Sequence, residues 1–559
     1  MTRYAYRRMA YETPPEVAGR PGRRRPVIVV GAGPVGLSMA IDLARRDIDI
    51  LLLDDNDRVS VGSRAICWAK RTLEIFDRLG VGQRMLDKGV TWKVGRLFHG
   101  EEEVYAFDLL PEDGHRMPAF VNLQQYYVEE YLIDRARELS GRLEMRWKNR
   151  VSGVEPGAEG VRVHVDTPDG GYALDCDWLV ACDGARSPVR GMLGLDFAGR
   201  VFEEKFLIAD VEMAAGDMPS ERWFWFDPPF HAGDSALVHK QPDDIYRIDL
   251  QLGPEADPEE EARPEKVIPR IRAAVGERDF ELDWVSVYTF QCRRLERFVH
   301  GRVLFAGDSA HLVSPFGARG GNGGIQDIDN LGWKLAAVIQ GRAPARLIDT
   351  YDEERVRGAD ENIRESSRST GFMTPKSAVE RDYREAVLDL AADLPFARRL
   401  VNSGRLSVPC SLDGLSLQTP DDGRVDGPMA PGAPCLDAPV TTADGEASWL
   451  LHHLGDDGFT LMVFAGADGP PAHAAATTTD RHPLIRPLWI LEAPGDAHGQ
   501  PAVVDADGLV AARYGGAPGV TYLIRPDQHV AARWPAPEAE AVTAALARAL
   551  AGATEAVPA

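Results

Sequence analysis

Four side chains without a polar atom, Val27-Ile28-Val29-Val30, follow a polar N-terminal stretch. A short β-branched run of this kind predicts a strand covered on both faces, as in a parallel sheet. It leads straight into Gly31-Ala32-Gly33-Pro34-Val35-Gly36 and then LSMAIDLARR. The apolar residues of that segment recur at helical spacing, and its arginines fall at the end, where the helix dipole favours cations. A second strand, Ile48 to Leu53, ends at Asp54 and completes a βαβ unit. The strand pattern returns in DWLVAC, which ends at Asp183-Gly184, with Ser187-Pro188 opening a helix. It returns again in RVLFA, which ends at Gly307-Asp308, before the glycine-dense SPFGARGGNGGIQDIDNLGWKL and a helix.

Residues 201 to 292, between these two segments, read as strands. They include the aromatic run ERWFWFDPPF and a hairpin, DSALVHKQPDDIYRIDLQL, turning at Gln241-Pro242-Asp243-Asp244. Arg247, Asp249 and Gln251 alternate onto one strand face, and either a site-facing or a solvent-facing position fits that alternation. Trp223, Trp225, Phe226 and His239 are candidates both for a pocket wall and for sheet core. Residues 376 to 405 read as helical, and 411 to 446 are rich in Pro, Gly, Asp and Ser, as a linker is. Beyond them FTLMVF, RPLWIL and VTYLIRP read as strands and 537 to 551 as an Ala-rich helix.

With 559 residues the chain exceeds a single core and divides into several domains. Its 63 basic and 86 acidic residues leave a net charge of −23, which argues against nucleic acid and anionic lipid as partners. No apolar run approaches the ~20 residues that span a bilayer. Arg7-Arg8 lacks the apolar stretch of an export signal after it. The six cysteines form no CxxC pair. Cys176 and Cys182 sit about 20 Å apart along an extended strand, too far for a disulfide. Reduced thiols and a cytoplasmic location follow, and no Cys/His spacing suits a metal.

The βαβ context gives the glycines chemical meaning. A GxGxxG between a buried strand and a helix, with an acid 23 residues after the first glycine, is a dinucleotide fingerprint. Gly31 permits the tight turn, Gly33 lets a pyrophosphate approach the backbone, and Gly36 allows close helix packing. Pro34 opens the helix, whose free N–H groups favour phosphate. Asp54 can accept hydrogen bonds from ribose hydroxyls.

The glycine motif, the Asp-Gly segment and the Gly-Asp segment, in that order, resemble the p-hydroxybenzoate hydroxylase type of single-component flavoprotein monooxygenase, over residues 26 to 375. Phenylpropionate and polyketide hydroxylases belong to that type. The resemblance implies FAD as cofactor, with Asp308 at the ribityl chain and Pro315, Gly320, Gly321 and Asn322 along the isoalloxazine. It further implies Asp183, Gly184 and Arg190 near FAD and NAD(P)H, and Arg64 and Gln125 near the flavin. Asp54 stands where the family more often has Glu. The resemblance also places Arg247 near flavin and substrate.

The fold expected is α/β. A Rossmann-type FAD-binding domain (26–195 and 293–375) carries an inserted β-sheet substrate domain (196–292). A flexible or surface-draped arm (1–25), a helical connector (376–410), a linker (411–429) and a thioredoxin-like domain lacking CxxC (430–559) complete the chain. There is one dinucleotide fingerprint, so NADH or NADPH has no Rossmann domain of its own. The implied reaction uses NAD(P)H and O2 to hydroxylate a small phenolic or polyketide ring through a flavin C4a-hydroperoxide, with the protein keeping water out. A phenol of pKa about 10 is about 0.1% ionised at pH 7, and activating it takes ~4 kcal/mol of preferential phenolate stabilisation. Arg247, the 315–324 loop, His239 and Tyr288 are candidates to supply it. The competing classes are a flavin oxidase or dehydrogenase and an epoxidase or Baeyer–Villiger oxygenase. A homodimer is compatible with the sequence.

Overall fold

A computed structural model of the chain describes residues 4–214, 219–401, 406–455, 457–466, 482–495 and 501–552. The chain forms two compact units, one of residues 1–111, 117–328 and 359–408, the other of 112–116, 329–358 and 409–559.

The first unit holds a mainly parallel sheet in the order Val299–His300, Val303–Phe305, Gly170–Ala181, Arg25–Val30, Ile50–Asp54, Leu143–Trp147. Val27, Ile28, Val29, Leu51 and Leu53 are all fully buried, which is why these strands read as uninterrupted apolar runs. The second strand starts at Ile50 rather than Ile48, because Asp47 at φ 62° turns the chain out of the preceding helix.

An eight-stranded sheet lies beside it in the order His311–Leu312, Phe280–Arg294, Ala198–Met213, Ile245–Leu252, Ser235–Lys240, Arg222–Phe226, Val94–His99, Glu102–Asp108. Its last two strands come from upstream of the insertion, with Arg222–Phe226 pairing in parallel with Val94–His99. The hairpin turn has Asp243 and Asp244 at φ 64° and 57°, the left-handed geometry a tight turn needs. One sheet face packs Ala209, Val211, Tyr246, Ile248 and Leu250 under the helix Pro264–Val275. That helix lies in a stretch whose pattern reads as strands, yet Val267, Ile271 and Val275 recur every four residues and form its buried stripe. A helix Gly320–Ile339 follows the Gly-Asp segment, as expected.

Of the two conformations expected for the N-terminal arm, residues 4–24 adopt the draped one. Tyr4 stacks on Tyr126 with ring centroids 4.0 Å apart, Met9 is buried, and Glu16 pairs with Arg146 at 2.9 Å.

The second unit is built on a seven-stranded sheet, Ala447–Trp449, Pro439–Thr442, Ala502–Val504, Ile485–Leu491, Phe459–Phe464, Thr521–Ile524, Val530–Trp534. Leu461 and Val463 face one core, and Met462 and Phe464 the other, so FTLMVF is covered on both sides. The 411–429 stretch packs within this unit: the Thr419 N–H donates to Ala531 O at 2.8 Å, and Leu417 is buried. Lys334, Glu354, Arg525 and Asp527 form a fully buried ion network in which Nζ of Lys334 lies 2.7 Å from the Glu354 carboxylate. Among the described residues, no helix is long and apolar enough to cross a membrane.

Candidate active site

The glycine turn shows why three glycines are needed, each for a different reason. Gly31 sits at φ 102°, and a Cβ there would lie 2.5 Å from Cys182 O. A Cβ on Gly36 would lie 1.9 Å from Gly31 O. Both therefore serve packing of strand, loop and helix. A Cβ on Gly33 meets nothing within 4 Å. Gly33 is the N-cap of the helix Pro34–Arg45, and no side chain caps that helix. Its first N–H groups thus have bare backbone around them, the arrangement that suits an anion. Asp54 ends the next strand and fastens the turn: its carboxylate accepts from Ala32 N at 2.6 Å and from Asn56 N at 2.8 Å. Burial raises its pKa.

Gly307-Asp308 meets the same region from the other side. Gly307, at φ 64°, donates its N–H to the buried Asp327 carboxylate at 3.0 Å, and that carboxylate also lies 2.7 Å from His311 Nε2. A Cβ on Gly324 would lie 2.7 Å from Val35 and 3.1 Å from Gly307, so the start of helix Gly320–Ile339 closes on the glycine-loop helix. Asp308 is embedded deeply enough for burial to raise its pKa, against the pull of His311 and Arg64. Nevertheless its side chain keeps an exposed surface, and it makes no hydrogen bond among the described residues. A carboxylate enclosed by protein yet free on one side marks the wall of a cleft. An uncapped helix N-terminus and an unpartnered acceptor, side by side, fit the pyrophosphate and polyol of FAD.

Other expected contacts have their polar atoms engaged within the protein. Asn322 accepts from Ala69 N at 2.9 Å and donates to Cys67 O at 2.9 Å, which ties its helix to the strand Cys67–Ala69. Gln125 accepts from Ala65 N at 3.1 Å and donates to Ser60 and Glu129, which holds the loop that carries Arg64. Arg190 donates to Ser309 O at 3.1 Å and Ala185 O at 2.8 Å, and so latches the Asp-Gly segment to the Gly-Asp segment. Asp183 accepts from Val189 N at 3.0 Å, while its other oxygen is buried without a partner. Gly184 sits at φ 80°. Gly320 and Gly321 have no atom within 3.4 Å of a Cβ, so the backbone at these two positions is bare, and Pro315 upstream of them is exposed. The intervening Phe316 docks this loop on Phe206 and Phe290, ring centroids 5.1 and 5.2 Å away.

The second face of the eight-stranded sheet is polar and buried. Register places Trp284, Asp210, Arg247, His239 and Arg222 in one row across five strands. Arg247 is 5% exposed, so its strand does not face solvent. Its Nε donates to Asp210 at 3.1 Å, and its terminal nitrogens donate to Arg64 O at 3.1 Å, Ser63 O at 2.8 Å and Ser63 Oγ. Asp210 also accepts from Gln241 at 3.2 Å and from the Ser63 hydroxyl. Arg247 therefore clamps the inserted sheet to the loop bearing Arg64, with its charge neutralised by Asp210. His239 is buried beside Cys67, Nδ1 to Sγ 3.9 Å, and burial followed by Arg222 and Arg247 depresses its pKa, leaving it neutral at pH 7. Asp249 lies one step along the same face with one oxygen unpartnered, and burial pushes it up to about 7.

The remaining candidates separate. Tyr288 pairs with Phe206, four residues along its strand from Trp284, and is exposed, so it is not brought to His239. Trp223 and Trp225 point to the opposite sheet face, where Trp225 packs on the core under helix Pro264–Val275. Phe226 is buried in a separate aromatic core with Phe372. The sequence reading missed Asp210, Ser63, Arg222 and Phe316. The neighbours of all four lie far along the chain, so no local pattern marks them.

The sequence model of the FAD binding domain family matches residues 24–366, more than half of the chain. The chain belongs to this family. A 12-dehydrotetracycline 5-monooxygenase/anhydrotetracycline 6-monooxygenase of Streptomyces rimosus subsp. rimosus is 31% identical, over 91% of this chain and 95% of its own. A 3-(3-hydroxy-phenyl)propionate/3-hydroxycinnamic acid hydroxylase of Burkholderia cenocepacia is 29% identical, over 93% of this chain and 96% of its own. The fold matches the flavin-dependent monooxygenase PieE, solved with FAD and substrate, at a TM-score of 0.78 and 23% identity, covering 95% of this chain and 100% of that one. This FAD-binding family member is an FAD-dependent monooxygenase.

Proposed function

We propose that the enzyme uses NADH or NADPH and O2 to hydroxylate a phenolic or polyketide aromatic ring. The observation that carries this reading is the convergence of an uncapped helix N-terminus at Gly33 and an unpartnered, enclosed Asp308, joined through the Arg64 loop to a buried polar sheet face. The whole-length relatives named above support it, one acting on a tetracycline skeleton and one on a phenylpropionate.

FAD, when bound, supplies the hydride acceptance and oxygen activation. The chain's own residues do the rest. Gly31, Gly33 and Gly36 shape the phosphate turn, and Asp54 holds it while offering free lone pairs to the ribose. Asp308 accepts from ribityl hydroxyls. Gly320, Gly321 and the exposed Pro315 give bare loop against the flavin ring, and Arg64 is positioned by Arg247, Ser63 and Gln125. Trp92, Phe120 and Cys67 form an apolar wall that excludes water from the reacting ring. The Asp249 carboxyl takes a phenol proton, a role suited to a group held near neutral pH. Asp183 and Gly184 lie on the NAD(P)H side.

None of the six cysteines is in a disulfide, in keeping with a cytoplasmic enzyme. The 430–559 region, with no CxxC, is a thioredoxin-like scaffold. The test is a panel of phenolic acids and polyphenols scored for stimulated NAD(P)H oxidation by the FAD-loaded enzyme, with product analysis. Rates indifferent to every aromatic ligand would refute the reading.

A further inference from the structure

Arg222 differs from the other charged residues of the polar sheet face. It is 8% exposed, yet among the described residues it makes no hydrogen bond and no ion pair. Its neighbour on the row, Arg247, has Asp210 and three backbone or hydroxyl acceptors. No nearby group hydrogen-bonds to Arg222; Cys67 and Asp249 act on it only through space. His239, directly opposite it, is held neutral, and the Cys67 thiol is pushed up to about 11 by burial. Asp249 stands two strands away, about 10 Å between backbones, with one oxygen also unpartnered. A guanidinium stays charged in a protein and presents a planar fork of donors that suits an oxyanion. An unpaired buried charge is costly unless something completes it.

The space it faces is a cleft rather than packed core. Cys67 and Asp249 are enclosed densely enough for burial to dominate their ionisation, yet both keep free surface. Cys67 also packs with Trp92, Phe120 and Ala318, and Ala318 belongs to the glycine-rich loop expected along the flavin ring. The cleft therefore runs from the apolar wall and that loop to Arg222.

We propose that Arg222 anchors an anionic oxygen of the aromatic substrate, a carboxylate or an ionised enol or phenol. This rests on the aromatic-hydroxylase reading above and adds the charge of the substrate to it. The anchored oxygen lies at the far end of the substrate from the flavin loop, and the opposing Asp249 faces a neutral hydroxyl.

The test uses the FAD-loaded full-length enzyme and two matched ligand pairs, measured by calorimetric titration and by stimulation of NAD(P)H oxidation. The carboxylate arm compares 3-(3-hydroxyphenyl)propionate with its primary amide. The acidic-phenol arm compares alizarin with its 2-O-methyl ether. In the wild type, at least one acid should bind about 10-fold or more tighter than its neutral partner, equivalent to about 1.4 kcal/mol. The pair that shows the ratio identifies the source of the oxyanion. Arg222→Gln should bring that ratio to about one with FAD content unchanged, and Arg222→Lys should keep part of it. If Arg222→Gln does not fold, the Arg222→Lys ratio and the wild-type ratio decide. A wild-type ratio near one in both arms, with the ligands still stimulating turnover, overturns the anchor and leaves the hydroxylase reading standing. So does a ratio that survives in either Arg222 variant undiminished. Failure of every probe to bind or stimulate the wild type overturns both.

Discussion

Replacing Arg247 by Ala removes the clamp between the inserted sheet and the loop 63–65. Four donor contacts disappear, to Asp210, Arg64 O, Ser63 O and Ser63 Oγ. Asp210, 1% exposed, loses its cation and retains, among the described residues, Gln241 and the Ser63 hydroxyl. Removing one partner of a buried pair costs about 3–5 kcal/mol, because the other charge stays buried and uncompensated. That is a large share of the roughly 5–15 kcal/mol that stabilises a folded domain. Most of the loss belongs to the stranded charge, so Asp210→Asn in the same chain should recover part of it. The loop should remain unanchored in the double variant, leaving Arg64 misplaced. Urea unfolding of the FAD-loaded proteins, with FAD content and the ratio of hydroxylated product to NAD(P)H consumed, separates the two effects. Arg247→Ala should lose about 3 kcal/mol or more and at least ~10-fold in coupled turnover; the double variant should regain stability but not coupling. A stability loss below about 1 kcal/mol, or full coupling in the double variant, would refute the clamp.

Other substitutions test other parts of the account. Gly33→Val should fold and come out colourless, since a side chain there has open space in the protein but fills the phosphate site, whereas Gly36→Val should misfold because a Cβ already sits 1.9 Å from Gly31 O; a yellow, fully loaded Gly33→Val protein sinks the phosphate assignment. Asp249 has a folded-state pKa of about 7 against about 4 unfolded, so the folded state holds the extra proton and this group's favourable contribution, complete below about pH 4, is lost as pH rises to about 7. Asp249→Asn should therefore be more stable than the wild type at pH 8, by up to roughly 4 kcal/mol, with the gap closing toward pH 4; equal unfolding curves at pH 8 would contradict the burial argument. Cys410→Ser and Cys435→Ser should leave turnover intact, as both thiols are buried and neither is in a disulfide; loss of catalysis with folding preserved would give the C-terminal unit a redox role.

The parts of this molecule that were legible in its sequence are those made by residues close together in the chain. Gly31, Gly33, Gly36 and Asp54 belong to one βαβ unit, so spacing alone describes their geometry. The hairpin at Asp243-Asp244 and the shared face of Arg247, Asp249 and Gln251 were legible for the same reason: turn chemistry and period-two alternation are local. What Arg247 touches was not, because Ser63 and Asp210 reach it from other strands and loops. The phase of Arg222–Phe226 was also hidden, since RWFWF is aromatic at every position after the arginine and gives no alternation to read. Only pairing with Ser235–Lys240 shows that Arg222 faces His239 while Trp223 and Trp225 turn away. Gln125 and Asn322 were found by motif, but their hydrogen bonds clamp the backbone around the site. The helix Pro264–Val275 is hidden in the sequence because Pro269 and the charged residues around it obscure a stripe of three buried side chains.

The central claim is that this FAD-dependent monooxygenase inserts an oxygen atom from O2 into an aromatic ring. Single turnovers of the FAD-loaded enzyme with NAD(P)H, an aromatic ligand that stimulates it and 18O2 test this directly by mass spectrometry of the product. The expected result is one 18O atom in the ring-hydroxylated product per NAD(P)H consumed, less any peroxide released. A product with no 18O, formed alongside stoichiometric hydrogen peroxide, would contradict it.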